Sequence, residues 1–264
     1  MPYINRYPKP AGQVNILIFG SDWRPNAGYR TDVILLLSVN TQKGTAALVS
    51  FPRDLYVDIP GWTMQRLNTA QAHGGFALTQ ATFAENFGVR PDHYIMTNFQ
   101  GFKGIIDTLG GINIYASRSL SDTCDLPQAV RGYCNVEPGT IHMDGATALW
   151  YVRARHSTSD FDRTRREQEV IQAIFYKLIS LNGLARVPEL FNMFSSSVET
   201  DMSLTDFLSL LPAAKQLTDL KNLTRYFIGT GQVTSWITPD GADVLVPDED
   251  LIFNTIIAKA CYNQ

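Results

Sequence analysis

Three short apolar runs crowd into the first 51 residues and restrict the fold more than any other feature of the chain. Residues 14–19 (VNILIF), closed by Gly20, and residues 33–39 (VILLLSV) have the length and β-branching of buried strands. Residues 45–51 (TAALVSF) follow a Gln42-Lys43-Gly44 turn, which predicts a hairpin-like connection. Beyond them, residues 76–87 read as a helix ended by Gly88, 93–97 as a strand, and 99–109 as a helix ended by Gly110-Gly111. Residues 144–151 are a short helical stretch. Residues 164–181 are a long one, whose Val170, Ile171, Ile174, Phe175 and Leu178 keep the 3.6-residue period and predict packing against the sheet. Residues 187–194, 204–220 and 248–261 read as helices, and 222–228 as one further strand. Alternation without internal repeats predicts an α/β fold, layered α-β-α, with a central mixed β-sheet flanked by helices.

Such a fold needs a core, and 264 residues with 45% apolar and 18% charged content supply one, which excludes a disordered chain. The net charge of −3 excludes nucleic-acid binding through a global basic excess. Anion chemistry must therefore come from local clusters. Of the 22 basic residues 15 are Arg, and five of these lie between Arg153 and Arg166, the planar, bidentate type of cation that suits phosphate. The ordinary alternative is a solvated helix face with salt bridges to Glu167 and Glu169. No run approaches the roughly 18 to 20 apolar residues of a membrane span, and the opening lacks the apolar core of a signal peptide. Residues 1–12, rich in Pro, read as a linker of the kind that follows a trimmed membrane anchor. Cys124 and Cys134 flank a Pro/Gly-containing loop and suit a disulfide in an oxidising compartment, with three reduced cysteines as the alternative.

Four polar clusters interrupt the apolar scaffold at the ends of predicted elements, where rigid segments position side chains. Gly20-Ser21-Asp22-Trp23-Arg24 ends the first strand, and Arg30-Thr31-Asp32 opens the second. If the two strands are antiparallel neighbours, Asp22 and Asp32 converge. Their mutual repulsion would be relieved by a divalent cation, and Mg²⁺ takes one or two carboxylates plus phosphate oxygens. Ser50-Phe51-Pro52-Arg53-Asp54 places an Arg after the third strand, and Arg66-Leu67-Asn68 follows a loop containing Gly61. Neighbours on an extended chain point to opposite sides, so Arg53 and Asp54 are not expected to pair. In the fourth cluster, Arg153 and Arg155 face the same way if extended, and Arg163 and Arg166 share a helix face. Cations at a helix start oppose its dipole, whereas a bound anion there is favoured by dipole and free N–H groups. Asp160 is either the helix N-cap or a substrate group.

In content and order these clusters resemble the LytR-CpsA-Psr family, whose domain would cover about residues 13–181, with 182–264 as a helical extension on the same domain. The matching segments are NILIFGSD, RTDVILLLSVN, LVSFPRDLYVDIPG, RLNTAQAHGG, NFQGFKGIIDTLGGI, PGTIHMDGATALWYVRARH and DFDRTRREQEVI. The resemblance implies a phosphotransferase that moves a glycopolymer from a polyprenyl pyrophosphate carrier to peptidoglycan at the outer face of a bacterial membrane. An apolar tunnel between sheet and helices would take the lipid. It implies Asp22 and Asp32 around Mg²⁺ (or Mn²⁺), and Arg30, Arg53, Arg66, Arg153, Arg155, Arg163 and Arg166 around the pyrophosphate. Asp32, Arg53, Arg155 and Asp160 would act closest to the chemistry. The expected partners are the polyprenyl pyrophosphate-linked glycan, peptidoglycan and, through an anchor, the membrane, with no nucleic acid. Hydrolysis of the carrier pyrophosphate, or lipid-carrier binding without turnover, are the competing readings. Three positions depart from the family pattern: Arg66 stands where Lys is common, Glu167 where Gln is usual, and Asp162 where Gly often follows Phe161.

Overall fold

The computed structural model describes residues 8–24, 28–154, 160–180, 187–217 and 219–262, which fall into two compact units, Met1–Met96 with Glu199–Gln264, and Thr97–Val198. In the first unit, β1 (Gln13–Arg24) and β2 (Gly28–Asn40) form a long antiparallel pair. Both strands run past the apolar residues and carry the first two polar clusters within them, because the hairpin continues the ladder to Arg24↔Gly28. β3 (Thr45–Ser50) returns antiparallel to β2 through a turn in which Gly44 takes φ +67°. A small hairpin, β4 (Tyr56–Asp58) and β5 (Met64–Arg66), leads into α1 (Ala70–Phe87). That helix starts earlier than the apolar pattern predicts. Gly74 and Gly75 kink it, and Gly88, left-handed at φ 66°, ends it as expected. β6 (His93–Asn98) follows.

The second unit opens with α2 (Phe99–Thr108), whose N-cap Asn98 accepts from the Gly101 N–H. Then come β7 (Ile112–Ala116), β8 (Leu120–Thr123), β9 (Tyr133–Val136) and β10 (Gly139–Met143). α3 (Gly145–Arg153), α4 (Asp160–Ser180) and α5 (Val187–Phe194) complete it. β7 alternates buried Ile112, Ile114 and Ala116 with exposed residues, the pattern of a strand with one apolar face, and pairs with β10. α4 packs on that strand, so the sheet it meets is this two-stranded one and the expectation of packing on the central sheet is corrected. Cys124 and Cys134 are joined as a disulfide across the β8–β9 loop, with Cα atoms 5.7 Å apart.

The chain then returns to the first unit through β11 (Glu199–Thr200), α6 (Leu204–Ser209) and α7 (Leu211–Gln216). The single helix expected over 204–220 is two, because Pro212 has no N–H to continue the ladder and instead suits the start of a helix. β12 (Leu223–Phe227) adds parallel to β3, β13 (Val233–Ile237) and β14 (Asp243–Pro247) form a hairpin, and α8 (Glu249–Ile252) runs into a π-helical stretch, Phe253–Tyr262. The C-terminal segment expected as a helical extension thus contributes strands as well.

The central sheet has the order β11-β6-β1-β2-β3-β12, mixed because β12 runs parallel to β3 whereas β1 and β2, β2 and β3, and β11 and β6 pair antiparallel, and helices flank it. Leu17, Phe19, Leu36 and Val49 of the sheet share one core with Phe83 and Phe87 of α1 and with Phe253 and Ile257 of the C-terminal stretch. The second unit has its own core, in which Ile106, Ile112, Ile114, Met143, Tyr151 and Val170 meet. No described helix is long and apolar enough to cross a membrane.

Candidate functional site

Register at the end of the β1–β2 pair sets the first group of polar side chains. Asp22 stands opposite Arg30, and cross-strand partners project from one face. Ser21 and Thr31, the neighbouring pair, are buried on the other face, where Thr31 Oγ1 donates to the Asn68 carbonyl at 3.1 Å. Between Gly20↔Val33 and Ser21↔Thr31 the register shifts by one residue, and Asp32 is the residue inserted. A bulge of this kind re-aims a side chain and occurs often beside active sites.

Asp32 is met by Arg53. The Arg53 Nη1 donates to Asp32 Oδ1 at 2.5 Å, and its Nε donates to Asp54 Oδ2 at 3.1 Å. The expectation that Arg53 and Asp54 diverge is corrected: both lie in a turn after β3, where the strand alternation no longer applies. Asp54 Oδ1 in turn lies 3.3 Å from Arg66 Nε, and Arg66 Nη2 donates to the Asp243 carbonyl at 2.6 Å. The result is a row of alternating charge, Asp32–Arg53–Asp54–Arg66, with side chains 26 to 35% exposed. Burial pulls the Arg53 guanidinium down, but the bond to Asp32 and the charges of Asp54 and Asp32 prevail and raise its pKa. Arg53 therefore stays charged and oriented. Asp54 was not among the expected site residues, although its place beside Arg53 in the same cluster was the available signal.

No three His, Cys, Asp or Glu side chains form a metal-ligand group among the described residues. Asp22 and Asp32 are two carboxylates at the end of one strand pair, the donor type and number that Mg²⁺ takes when water and substrate phosphate fill most of its positions. They would not suffice for a structural zinc site, which takes four protein ligands.

The second unit carries the remaining arginines. Arg153 lies in the last turn of α3, where a cation suits the helix dipole, with its guanidinium 4.5 Å above the Phe99 ring. α4 opens at Asp160; the side chain of Asp160 and all of Arg155 lie outside the described residues. Arg163 pairs with Glu167 at 3.3 Å and Arg165 with Glu169 at 2.6 Å, both four apart on the helix, so the salt bridges weighed from the sequence are present. Arg166 is only 1% exposed and donates through Nη2 to the Ala154 carbonyl at 2.5 Å, with Tyr151 beneath it at 5.8 Å. Burial lowers its pKa. It is placed to hold the end of α3 that leads into Arg155. Glu169 gathers Tyr151 Oη at 2.7 Å, Ser117 Oγ at 2.9 Å and Arg165. Burial and then Glu169 push the Tyr151 phenol far above its usual pKa. The bridge to Glu169 is an expectation of the sequence, but its burial and its bonds to Tyr151 and Ser117 are not, since nothing in the helix period marks a buried Glu.

Comparison with known proteins places these residues in a family context. A family model described as the LytR_cpsA_psr family matches residues 3–254. The chain is 32% identical over 216 residues to the polyisoprenyl-teichoic acid–peptidoglycan teichoic acid transferase TagU of Oceanobacillus iheyensis, covering 79% of this chain and 65% of that protein. It thus spans slightly less than two thirds of that relative's length. Bacillus subtilis TagV has the same fold, with a TM-score of 0.78 at 23% identity over 95% of this chain and 98% of that one. A structure of TagT bound to LI-WTA gives 0.71 at 25% identity, over 93% and 88%.

Proposed function

The chain belongs to the LytR_cpsA_psr family, and from that premise we propose that it transfers a glycopolymer from a polyprenyl pyrophosphate carrier to peptidoglycan, outside a bacterial cell membrane. The observation that carries this reading is the row Asp32–Arg53–Asp54–Arg66, which presents two guanidinium groups beside a bulged carboxylate at the end of a rigid strand pair. The relative from Oceanobacillus iheyensis is named as a transferase of this kind, which supports the same acceptor here.

Phosphoryl transfer needs positioning and charge neutralisation more than covalent help. Arg53 and Arg66 donate planar, paired N–H groups to pyrophosphate oxygens, and Arg30 adds charge from the face it shares with Asp22. Family resemblance assigns the remaining donors to Arg153, Arg155 and Arg163, while Arg166 positions the end of α3. Mg²⁺ or Mn²⁺, held by Asp22 and Asp32, would neutralise charge on the pyrophosphate. An acceptor sugar hydroxyl attacks the carrier-distal phosphorus; its O–P bond forms as the bond to the bridging oxygen breaks, and polyprenyl phosphate leaves. The hydroxyl proton passes to a carboxylate among Asp22, Asp32 and Asp160. An apolar channel for the prenyl tail and an anchor that holds the protein at the membrane complete the reading.

The test is incubation with Mg²⁺ and a short polyprenyl pyrophosphate-linked saccharide, with and without peptidoglycan fragments. Product carrying the fragment, and carrier release that depends on it, are expected. Equal release in both arms would make the protein a pyrophosphatase, and binding without turnover would make it a carrier-binding protein.

A further inference from the structure

A cavity of about 460 Å³ lies within the second unit, and its lining includes Lys103, Asp122, Asp125, Leu126, Trp150 and Arg153. Its walls are α2, α3 and the β8–β9 hairpin, and three ties build it in advance. The Trp150 indole N–H donates to the Thr123 carbonyl at 2.9 Å, and Gln128 Nε2 donates to Thr147 Oγ1 at 2.9 Å. The third is the disulfide at Cys124, itself a lining residue. Helices α2 and α3 meet at Gly145, where a Cβ would fall 2.4 Å from the Lys103 carbonyl oxygen and 2.7 Å from its Cα. The wall therefore cannot shift without losing that close approach.

The size lies within the roughly 300–1,000 Å³ of small-ligand sites. The lining balances Lys103 and Arg153 against Asp122 and Asp125, so the cavity as a whole favours a neutral ligand over a polyanion, whatever Arg153 alone contributes to the proposed transfer. What the lining offers instead is hydrogen-bond acceptors and donors of both charges around an aromatic ring and two leucines, Leu126 and Leu149. That combination matches a ring whose edge carries hydroxyl and amide groups and whose faces carry C–H bonds. We infer that the cavity between α2, α3 and the disulfide-closed hairpin is a binding site for a short saccharide. The site is independent of any turnover; that its occupant is the transferred glycan or the peptidoglycan acceptor rests on the proposed function.

Isothermal titration of the whole chain with N,N′-diacetylchitobiose, with a peptidoglycan disaccharide-peptide and with inorganic pyrophosphate tests this. At least one saccharide is expected to bind, and Asp125→Asn, at an exposed position, to weaken it about tenfold by removing a charged acceptor. Trp150→Phe is expected to weaken it as well, and pyrophosphate affinity is expected to survive Asp125→Asn. Preference for the peptidoglycan fragment would assign the site to the acceptor, and preference for chitobiose to the donor glycan. No binding of either saccharide at about 10 mM, affinity unchanged in both variants, or an equal loss of pyrophosphate in Asp125→Asn would overturn the assignment. Saccharide binding without carrier turnover would remove the proposed function and leave this site standing; turnover without saccharide binding would do the reverse.

Discussion

The two units place charge in opposite ways. In the first, β1 to β3 bury apolar side chains and leave Asp32, Arg53, Asp54 and Arg66 between a quarter and about a third exposed, paired with one another at the end of the strands. In the second, α4 buries five residues in succession, Arg166 to Val170, four of them polar, so that burial runs right round the helix. The comparison teaches what each arrangement suits. Partly exposed pairs exchange partners for a ligand at little cost, whereas a buried ion pair is poorly replaceable and fixes the backbone that carries it.

The largest effect that could break this contrast is in the second unit. Glu169→Ala would leave the buried Tyr151 hydroxyl without its acceptor and take from Arg165, which keeps Asp162 and Ser117, its nearest counter-charge, and urea denaturation should show a loss of about 3 kcal/mol. A loss below about 1 kcal/mol would mean that the network is no more than a surface array. Next is Arg53→Ala in the first unit. In the transfer assay it should lower turnover by about 10²–10³-fold, as for loss of a preorganised charge donor, while urea stability changes by less than about 1 kcal/mol. Equal damage to stability and turnover would erase the distinction between the units.

The same distinction governs what could be read from the sequence. Residues 14–19, 33–39 and 45–51 are legible as strands because the length and branching of an apolar run are local properties, and the helix stops at Gly88 and Gly110 because a left-handed residue favours glycine. The placing of Asp22 opposite Arg30 follows from antiparallel pairing, but the bulge at Asp32 does not, since an inserted residue leaves no composition signal. The turn that lets Arg53 reach Asp54 was hidden for a similar reason. In α4 the period marked Val170 and Ile174, yet the most buried stretch is REQEV, which the period assigns partly to solvent. Tertiary contacts with Tyr151, Ser117 and Ala154 decide that burial, and these lie 12 to 52 positions away in the chain.

Two intermediate effects sharpen the comparison. Cys134→Ser opens the loop closed by the disulfide and should cost the second unit about 2–3 kcal/mol in non-reducing thermal unfolding, with no further loss on adding reductant. In the first unit, burial pushes the Cys261 thiol, and burial with the Cys261 charge pushes the Tyr262 phenol, each up to about 12. Raised values mean that the folded state keeps these protons longer than the unfolded one. Their contribution is therefore whole below about pH 8.5, where the unfolded thiol is protonated, and is lost as pH rises towards 12. Cys261→Ala should shift the alkaline unfolding midpoint upward, measured by circular dichroism against pH; an unchanged midpoint would place the alkaline weakness elsewhere.

The smallest effect isolates screening. Lys9 and Asp92 form an ion pair at 2.5 Å in the first unit, with side chains 43% and 32% exposed, and Asp92 also accepts the Asn15 N–H at 2.7 Å. Lys9→Ala leaves that backbone bond in place and removes only the screened attraction, so the expected loss in urea denaturation is below about 1 kcal/mol. At 1 M salt, where the screening length falls to about 3 Å, this loss should vanish, while the penalty of Glu169→Ala should persist because buried pairs are screened much less. If both penalties fall together with salt, the α4 network is reached by solvent and ions, and the two units do not differ in how they hold charge.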